Sequence, residues 1–387
     1  MRIVHILTRF VRGGSEENTI LSCLDQASAG HDVHLVHGDQ YRDDCIRGLG
    51  DGVARHAVRS LVHRIAPVHD LAASWRLFLL VRRLKPDLVH THQSKAGILG
   101  RIAARLAGVP AIVHTVHIVP FDNVPRLSAM LYRACERFCG RFTDLFIHVA
   151  AGTVEQYAVH RIGTAAMHRV IASGMAVEKF AAAMPAEDIS AWRAGDPGRF
   201  LILSMAALEA RKRILEFLPI FRAIADTHPG ALLALAGEGP ERPAIEACVG
   251  QLGLGDRVRF LGVRDDPERL LAAADALVIC SAREGLPRAA VQARIAGIPV
   301  VSTALPQIGS VVTDGKTGYL VPLDQLDAMK AAFDQLMKNP DLRTALRGGQ
   351  PPFDSQAWRT ETMTAQIADA YRTVDLARSQ RGRTTKA

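Results

Sequence analysis

Three observations predict an α/β protein built from two doubly wound parallel-sheet domains. Short apolar runs alternate with longer amphipathic ones along most of the chain, as strands and crossover helices do in a parallel sheet. That rhythm breaks once, over residues 181–200, where alanines, two prolines, Gly195 and Gly198 collect among mixed charges. The length, 387 residues, exceeds what one ordinary core organises. The domains are therefore placed at 1–190 and 191–354.

In the first domain Ile3–Leu7 reads as a strand, Gly13-Gly14-Ser15 as a turn, Glu16–Ala27 as a helix and Val33–His37 as the next strand. A helix over Leu71–Leu84 stops at Pro86-Asp87, which restarts the chain into strand Leu88–His90. Helix Ala96–Leu106 leads through Gly108-Val109-Pro110 into strand Ala111–His114, and helix Pro125–Cys139 into strand Leu145–Val149. The second series begins at Phe200. Its strands are Leu201–Ser204, Leu232–Ala236, Val258–Leu261, Ala274–Cys280, Val300–Ser302 and Tyr319–Val321, with helices starting near Ile214, Arg242, Pro267, Pro287 and Leu326. Residues 377–387, rich in Arg, Thr and Lys, read as a disordered basic tail.

Composition narrows the class. With 48% hydrophobic and 22% charged residues, and no apolar run near the ~20 that span a bilayer, the chain reads as a soluble globular protein. Six cysteines lie scattered without zinc-type spacing; Cys135 and Cys139, one helical turn apart, suit core packing in a reducing cytoplasm. Residues 1–175 carry 21 Lys plus Arg against 14 Asp plus Glu, a net of +7, while the remainder carries 26 against 25. The basic part should meet an anionic partner, a phosphorylated acceptor or an anionic membrane face. No nucleic-acid-binding signature accompanies the charge, which argues against nucleic acid. The helix at Pro125–Phe142 sets Leu127, Leu131, Ala134 and Phe138 on one face and Arg126, Arg133, Arg137 and Arg141 on another. Such a helix either lies on anionic lipid or turns its apolar face into the core.

The candidate chemistry gathers at strand ends. Ser281-Ala282-Arg283-Glu284-Gly285-Leu286-Pro287-Arg288 joins a strand to a helix, and Gly297 and Pro299 stop that helix before the next strand. Loops at the carboxyl ends of parallel strands are where open sheets bind ligands. Free N–H groups at the helix start suit a phosphate. Arg211-Lys212-Arg213, Gly237-Glu238-Gly239-Pro240 and Gly262-Val263-Arg264 follow three other strands on the same rim. In the first domain Gly13-Gly14 lets backbone approach a phosphate closely, or simply makes a tight turn. His90-Thr91-His92-Gln93-Ser94 and His114-Thr115-Val116-His117 bring two histidine-rich ends to one sheet, apt for sugar hydroxyls or proton exchange. No Asp-x-Asp occurs to bridge a diphosphate through a metal ion, so no metal and no cofactor are expected.

Together these pieces resemble the family 4 retaining glycosyltransferases of the GT-B fold. The resemblance rests on Gly13-Gly14-Ser15-Glu16, Pro86-Asp87-Leu88-Val89-His90-Thr91-His92, Lys212-Arg213, Gly237-Glu238-Gly239, Val258-Arg259-Phe260-Leu261-Gly262 and Glu284-Gly285-Leu286-Pro287-Arg288 continuing to Val301. It implies two Rossmann-like domains facing each other across a cleft, acceptor-binding first and donor-binding second, with a helix near 355–376 returning to the first. It implies catalytic roles for Glu284, His117 and Lys212. The donor would be held by Gly13, Gly14, Arg211, Lys212, Gly237, Glu238, Val263, Glu284, Gly285, Leu286, Pro287, Arg288 and Gln292, and the acceptor would lie at His92, Ser94 and Lys95. A nucleoside-diphosphate sugar would give its hexosyl group, with retention, to a cell-envelope, lipid-linked or phosphorylated glycan in the cytoplasm or on the cytoplasmic membrane face.

Two departures qualify this. The family's second glutamate, eight residues after Glu284, is Gln292, and an amide offers one acceptor oxygen where a carboxylate offers two. Ala207 stands where an arginine often precedes the phosphate lysine; Arg211 supplies a charge nearby. A degenerate, non-catalytic nucleotide- or glycan-binding protein and a nucleotide-sugar epimerase are the rival readings.

Overall fold

The computed structural model describes residues 1–11, 13–193, 198–347 and 353–384, with side chains described through residue 375. The chain divides into two compact units, 1–175 with 357–387, and 176–356.

The first unit carries strands β1 (Arg2–Ile6), β2 (Asp32–His37), β3 (Val53–Ala57), β4 (Leu88–His92), β5 (Ala111–Val116), β6 (Leu145–His148) and β7 (His168–Val170). They form one parallel sheet in the order β3-β2-β1-β4-β5-β6-β7. Its helices are α1 (Gly14–Ser28), α2 (Asp43–Arg47), α3 (Pro67–Leu84), α4 (Ser94–Leu106), α5 (Arg126–Gly140) and α6 (Ala151–Val159). β4, β5 and β6 are buried along their whole length because helices cover both faces. The outer strands β3 and β7, invisible to the apolar-run criterion, are Val-Ala-Arg-His-Ala and His-Arg-Val. Each has a single neighbour and an exposed side, so no apolar run is required there.

The second unit holds α7 (Val177–Ala181), α8 (Glu187–Arg193), β8 (Phe200–Met205), α9 (Ile214–Thr227), β9 (Ala231–Ala236), α10 (Arg242–Gln251), β10 (Val258–Gly262), α11 (Pro267–Ala273), β11 (Ala276–Ile279), α12 (Arg288–Ile295), β12 (Val300–Thr303), β13 (Gly318–Val321), α13 (Ala328–Lys338) and α14 (Pro340–Arg347). The sheet is parallel, in the order β10-β9-β8-β11-β12-β13. Its core packs Phe217, Phe221 and Ile224 of α9 and Phe333 of α13 on Ile202, Leu233 and Val278.

The division falls at Met175, earlier than the loss of rhythm suggests. Residues 176–193 belong to the second unit: Val177, Phe180 and Ile189 are buried, and Ala186 N donates to the Arg269 carbonyl at 3.0 Å. Arg193 Nη1 reaches the Ala273 carbonyl at 2.7 Å. The expected connector thus includes two short helices packed on one unit; residues 194–197 of it lie outside the described ones.

The last helix, α15 (Thr360–Thr384), belongs to the first unit. Met363, Ile367, Ala370, Tyr371 and Val374 recur at helical spacing and pack on Ile3, Leu88, Val113 and Ile147. The helix takes in most of the segment read as a disordered tail; residues 385–387 lie outside the described ones.

α5 corrects one alternative. Leu127, Leu131 and Phe138 are 79%, 56% and 52% exposed, while its buried side is Ala129, Glu136, Cys139 and Gly140. The large apolar side chains face solvent. Glu136 goes inward because Arg101, fully buried on α4, needs a counter-charge: Arg101 Nη2 donates to both Glu136 oxygens at 2.8 Å. No helix among the described residues is long and apolar enough to cross a membrane.

Candidate active site

Strand order reverses between β8 and β11 in the second unit, so the loops leaving those neighbours open a crevice at the sheet's carboxyl end. The loop after β8 finishes in one tight turn, Ala210–Lys212, and the loop after β11 carries Ser281 to Pro287. Ala282 N donates to the Arg211 carbonyl at 2.8 Å and ties the two together.

Glu284 is the buried centre of this crevice. Its Oε2 accepts from Arg211 Nη1 at 2.9 Å, and its Oε1 accepts from Ser281 Oγ at 2.7 Å and from Lys212 Nζ. Burial alone would raise the Glu284 pKa; Lys212 and Arg211 outweigh it and hold the carboxyl below its ordinary value. Burial pulls Lys212 below an ordinary amine, with Glu284 opposing. Arg211 also donates to Glu209, at 3.0 Å. One buried carboxylate thus holds Arg211 and Lys212 together at the crevice, where their N–H groups are placed to donate to an anion such as a diphosphate.

The glycine loop after β9 closes against the same strand exit. Gly237 has φ +150°, and a Cβ there would lie 1.9 Å from the Ala206 carbonyl oxygen, so only glycine fits. Gly285 and Pro287 are buried, and Leu286, Arg288 and Gln292 half-buried. Pro287 precedes the first turn of α12 instead of opening it (φ −69°, ψ 107°). Glu238 is exposed and paired with Arg242, and Val263 is exposed.

In the first unit the reversal lies between β1 and β4. Gln93, at φ 59°, follows β4 and clamps the loop after β1. Its Oε1 accepts from Thr8 N at 3.0 Å and Arg9 N at 3.1 Å, and its Nε2 donates to Glu16 Oε1 at 3.0 Å. Glu16 is buried against Gly13 so closely that a Cβ there would stand 2.7 Å from Oε2. Burial raises the Glu16 pKa against the pull of Ser15, Arg9 and Gln93. Sequence reasoning assigned neither residue a role. Glu16 follows Gly13-Gly14 directly, which was the available signal; Gln93 acts through a positive φ that no residue type announces.

Of the residues assigned to the acceptor, Lys95 and His92 have other partners. Lys95 Nζ donates to Asp70 Oδ1 at 2.6 Å and to the Arg64 carbonyl, and Ser94 opens α4 half-buried. His92 is buried, with Nε2 3.0 Å from His5 Nδ1 and Nδ1 3.1 Å from His117 Nε2. The cavity beside it, about 10 Å³, is too small for a sugar. His117 is half-buried. The facing nitrogens of His5, His90 and His92 lie within 4.8 Å of one another, a spacing open to a metal ion. All six of their ring nitrogens already have hydrogen-bond partners in His5, His92, His117, Gln26, Thr115 and Tyr371, so a metal would have to displace these.

Comparison with known proteins places this architecture. Residues 21–174 match the glycosyl transferase 4-like domain and residues 187–348 the glycosyl transferases group 1 family. The chain is 31% identical over 285 residues to the UDP-Gal:alpha-D-GlcNAc-diphosphoundecaprenol alpha-1,3-galactosyltransferase of Escherichia coli, covering 72% of this chain and 74% of that one. It is 26% identical over 374 residues to the lipopolysaccharide core biosynthesis glycosyltransferase LpsD of Rhizobium meliloti, covering 96% and 97%. Anabaena HepE, solved in complex with UDP and glucose, superposes with a TM-score of 0.79 at 19% identity, over 96% of this chain and 99% of that one. Two parallel-sheet domains of this kind define the GT-B fold. The chain belongs to the group 1, family 4-like glycosyltransferases.

Proposed function

We propose that this glycosyltransferase moves a hexosyl group from a UDP-sugar to a lipid-linked envelope glycan, with retention at the anomeric carbon and without a metal ion. The observation that carries the reading is the Arg211–Lys212–Glu284 cluster at the β8/β11 reversal. Lys212 and Arg211 take the diphosphate charge as the bond from the anomeric carbon to the phosphate oxygen breaks. Glu284 positions them and contacts sugar hydroxyls. The acceptor oxygen bonds the anomeric carbon on the same face, and its proton passes to the departing diphosphate. Arg211 and Lys212 donate hydrogen bonds to the phosphate oxygens in the place a metal ion would otherwise take. The UDP and lipid-linked assignments draw on the E. coli relative, whose name specifies both.

A membrane-facing acceptor fits the first unit. α3 and α5 both pack on α4, and each leaves apolar side chains in solvent: Leu71, Trp75 and Leu79 on α3, and Leu127, Leu131 and Phe138 on α5, beside Arg126, Arg133 and Arg137. Apolar wedges flanked by arginines suit the interface of an anionic bilayer.

The test is a thermal-shift screen of UDP, GDP, ADP and their sugars, followed by acceptor-dependent diphosphate release and NMR of the product's anomeric centre. Stabilisation by UDP compounds and an α-linked product from an α-linked donor support the proposal. Binding without diphosphate release would favour the non-catalytic reading that Gln292 suggests, and isomerisation of the donor without acceptor would favour an epimerase.

A further inference from the structure

We propose that the first unit carries a second binding site, an arginine-lined pocket at the amino end of its sheet, which takes a phosphate monoester group. It shares no residue with the donor or acceptor sets and does not rest on the transfer reaction.

The pocket, about 870 Å³, opens where α4, α5 and α6 end and the chain enters β5, β6 and β7. Val109, Ile112 and Thr143 are its buried lining, and Arg105, Arg137, Arg141 and Arg161 its exposed one. The six residues of β5 set it roughly 20 Å from the carboxyl rim where His117 stands. A Cβ on Gly140 would lie 3.4 Å from Gly163 N, so the end of α5 rests against the turn that follows α6. Arg137 Nε donates to the His160 carbonyl at 2.7 Å, which fixes one guanidinium at that junction. Arg161 sits within the turn at φ 52°.

Arginines at the carboxyl ends of helices are ordinary, since they face the negative end of the dipole. Four of them exceed that need. Against their four charges stand Asp144, the one carboxylate in the lining, and three helix ends worth about half a negative charge each. Asp144 is already engaged, its Oδ2 accepting from Ile112 N at 2.9 Å. A surplus of roughly +1.5 remains, which matches the charge of about −1.5 to −2 on a phosphate monoester at neutral pH. A singly charged carboxylate or phosphodiester would leave part of it unbalanced. The contrast with the crevice in the second unit is direct. There Arg211 is paired with Glu209 and Glu284, whereas none of these four guanidiniums forms an ion pair with a described residue. Uncommitted guanidiniums around one cavity offer the forked donors that grip phosphate oxygens in pairs. Two sources carry this chemistry, a soluble phosphate ester and a lipid headgroup. Phe138, 52% exposed, meets Phe142 of the lining edge-on at 5.5 Å, so an apolar side chain stands near the charged mouth where a lipid's chains would begin.

The experiment uses the full chain and two probes, glycerol 3-phosphate in calorimetry and phosphatidylcholine vesicles with or without phosphatidic acid in sedimentation. Three proteins are compared: wild type, Arg141→Gln with Arg161→Asn, and Arg47→Gln with Arg59→Gln. Asparagine tolerates the left-handed backbone at 161. The last pair removes the same charge beside the opposite edge strand, β3. Changing Arg141 and Arg161 should weaken binding at least tenfold, the worth of one lost charged hydrogen bond, and changing Arg47 and Arg59 should leave it unaltered. Such a loss with glycerol 3-phosphate supports the proposal with a soluble ester as the source; a loss confined to phosphatidic acid vesicles supports it with a headgroup. If Arg141→Gln with Arg161→Asn does not fold, Arg105→Gln takes its place. Wild type that binds neither probe overturns the proposal, as does equal loss in the two double variants. Binding that survives the pocket changes and is lost in Lys212→Ala belongs to the donor crevice and overturns it too.

Discussion

Acid should unfold the first unit before the second. Fourteen of the fifteen histidines lie in residues 1–175, and several are buried in the sheet. Burial lowers His5 to about 4 and His148 to about 3. Their folded pKa values stand below the unfolded 6.5, so between 6.5 and about 4 the unfolded chain binds protons that the folded chain refuses. Stability therefore falls as the pH drops through that window and is unaffected above it. At pH 5 the two groups together remove about 4 kcal/mol, roughly 2 from each. His90, His92 and His114, also lowered by burial, act in the same direction. That is a large share of an ordinary domain's ~5–15 kcal/mol. The second unit contains one histidine, His228. Hydrogen exchange read by mass spectrometry at pH 7.5 and pH 5, corrected for intrinsic rates, should show protection lost across β1, β4, β5 and β6 while β8, β9 and β11 keep theirs. His5→Gln should recover about 2 kcal/mol of the difference. Equal protection of the two units at pH 5, or an unfolding free energy of the first unit independent of pH, refutes the reasoning.

Other outcomes follow from particular contacts. Lys212→Ala should lower kcat about 100-fold while changing folding stability far less, measured by turnover and urea unfolding; unchanged turnover refutes its role. Gln292→Glu should tighten UDP binding about fivefold, from roughly 1 kcal/mol of stronger ribose contact, and an unchanged Kd in calorimetry tells against the ribose assignment. Glu136→Gln strands the Arg101 charge inside the first unit and should cost about 3 kcal/mol or more in denaturant titration, whereas Arg101→Met with Glu136→Leu should recover most of that. Leu131→Ser with Phe138→Ser should abolish sedimentation with vesicles rich in phosphatidylglycerol and leave diphosphate release from a soluble acceptor intact; retained sedimentation removes α5 from the membrane contact.

Much of this architecture was legible from residue order. Strands buried on both faces must be apolar runs, and helices bridging them must be amphipathic, so the central strands and their crossovers declare themselves. The outermost strands β3 and β7 do not, because a strand with one neighbour has little to bury. Nor does the boundary at Met175: composition registers where rhythm stops, while a domain edge is set by what the irregular residues pack against. Glu284 and Lys212 were recognisable by type and by their place at strand ends.

Their meeting was not, since residues 72 apart are brought together only by the reversal of strand order between β8 and β11. The same holds for the histidines. The amino-acid order places His90, His92, His114 and His117 near strand ends and suggests sugar contact for two of them. Pairing β1 with β4 and laying α1 and α15 over that face turns His5, His90 and His92 inward, onto Gln26, Thr115 and Tyr371, while His117 stays half-buried beside His92. Residue type determines which chemistry is available. Register and packing decide which of those groups meet, because a buried hydrogen bond needs both its partners brought to one place.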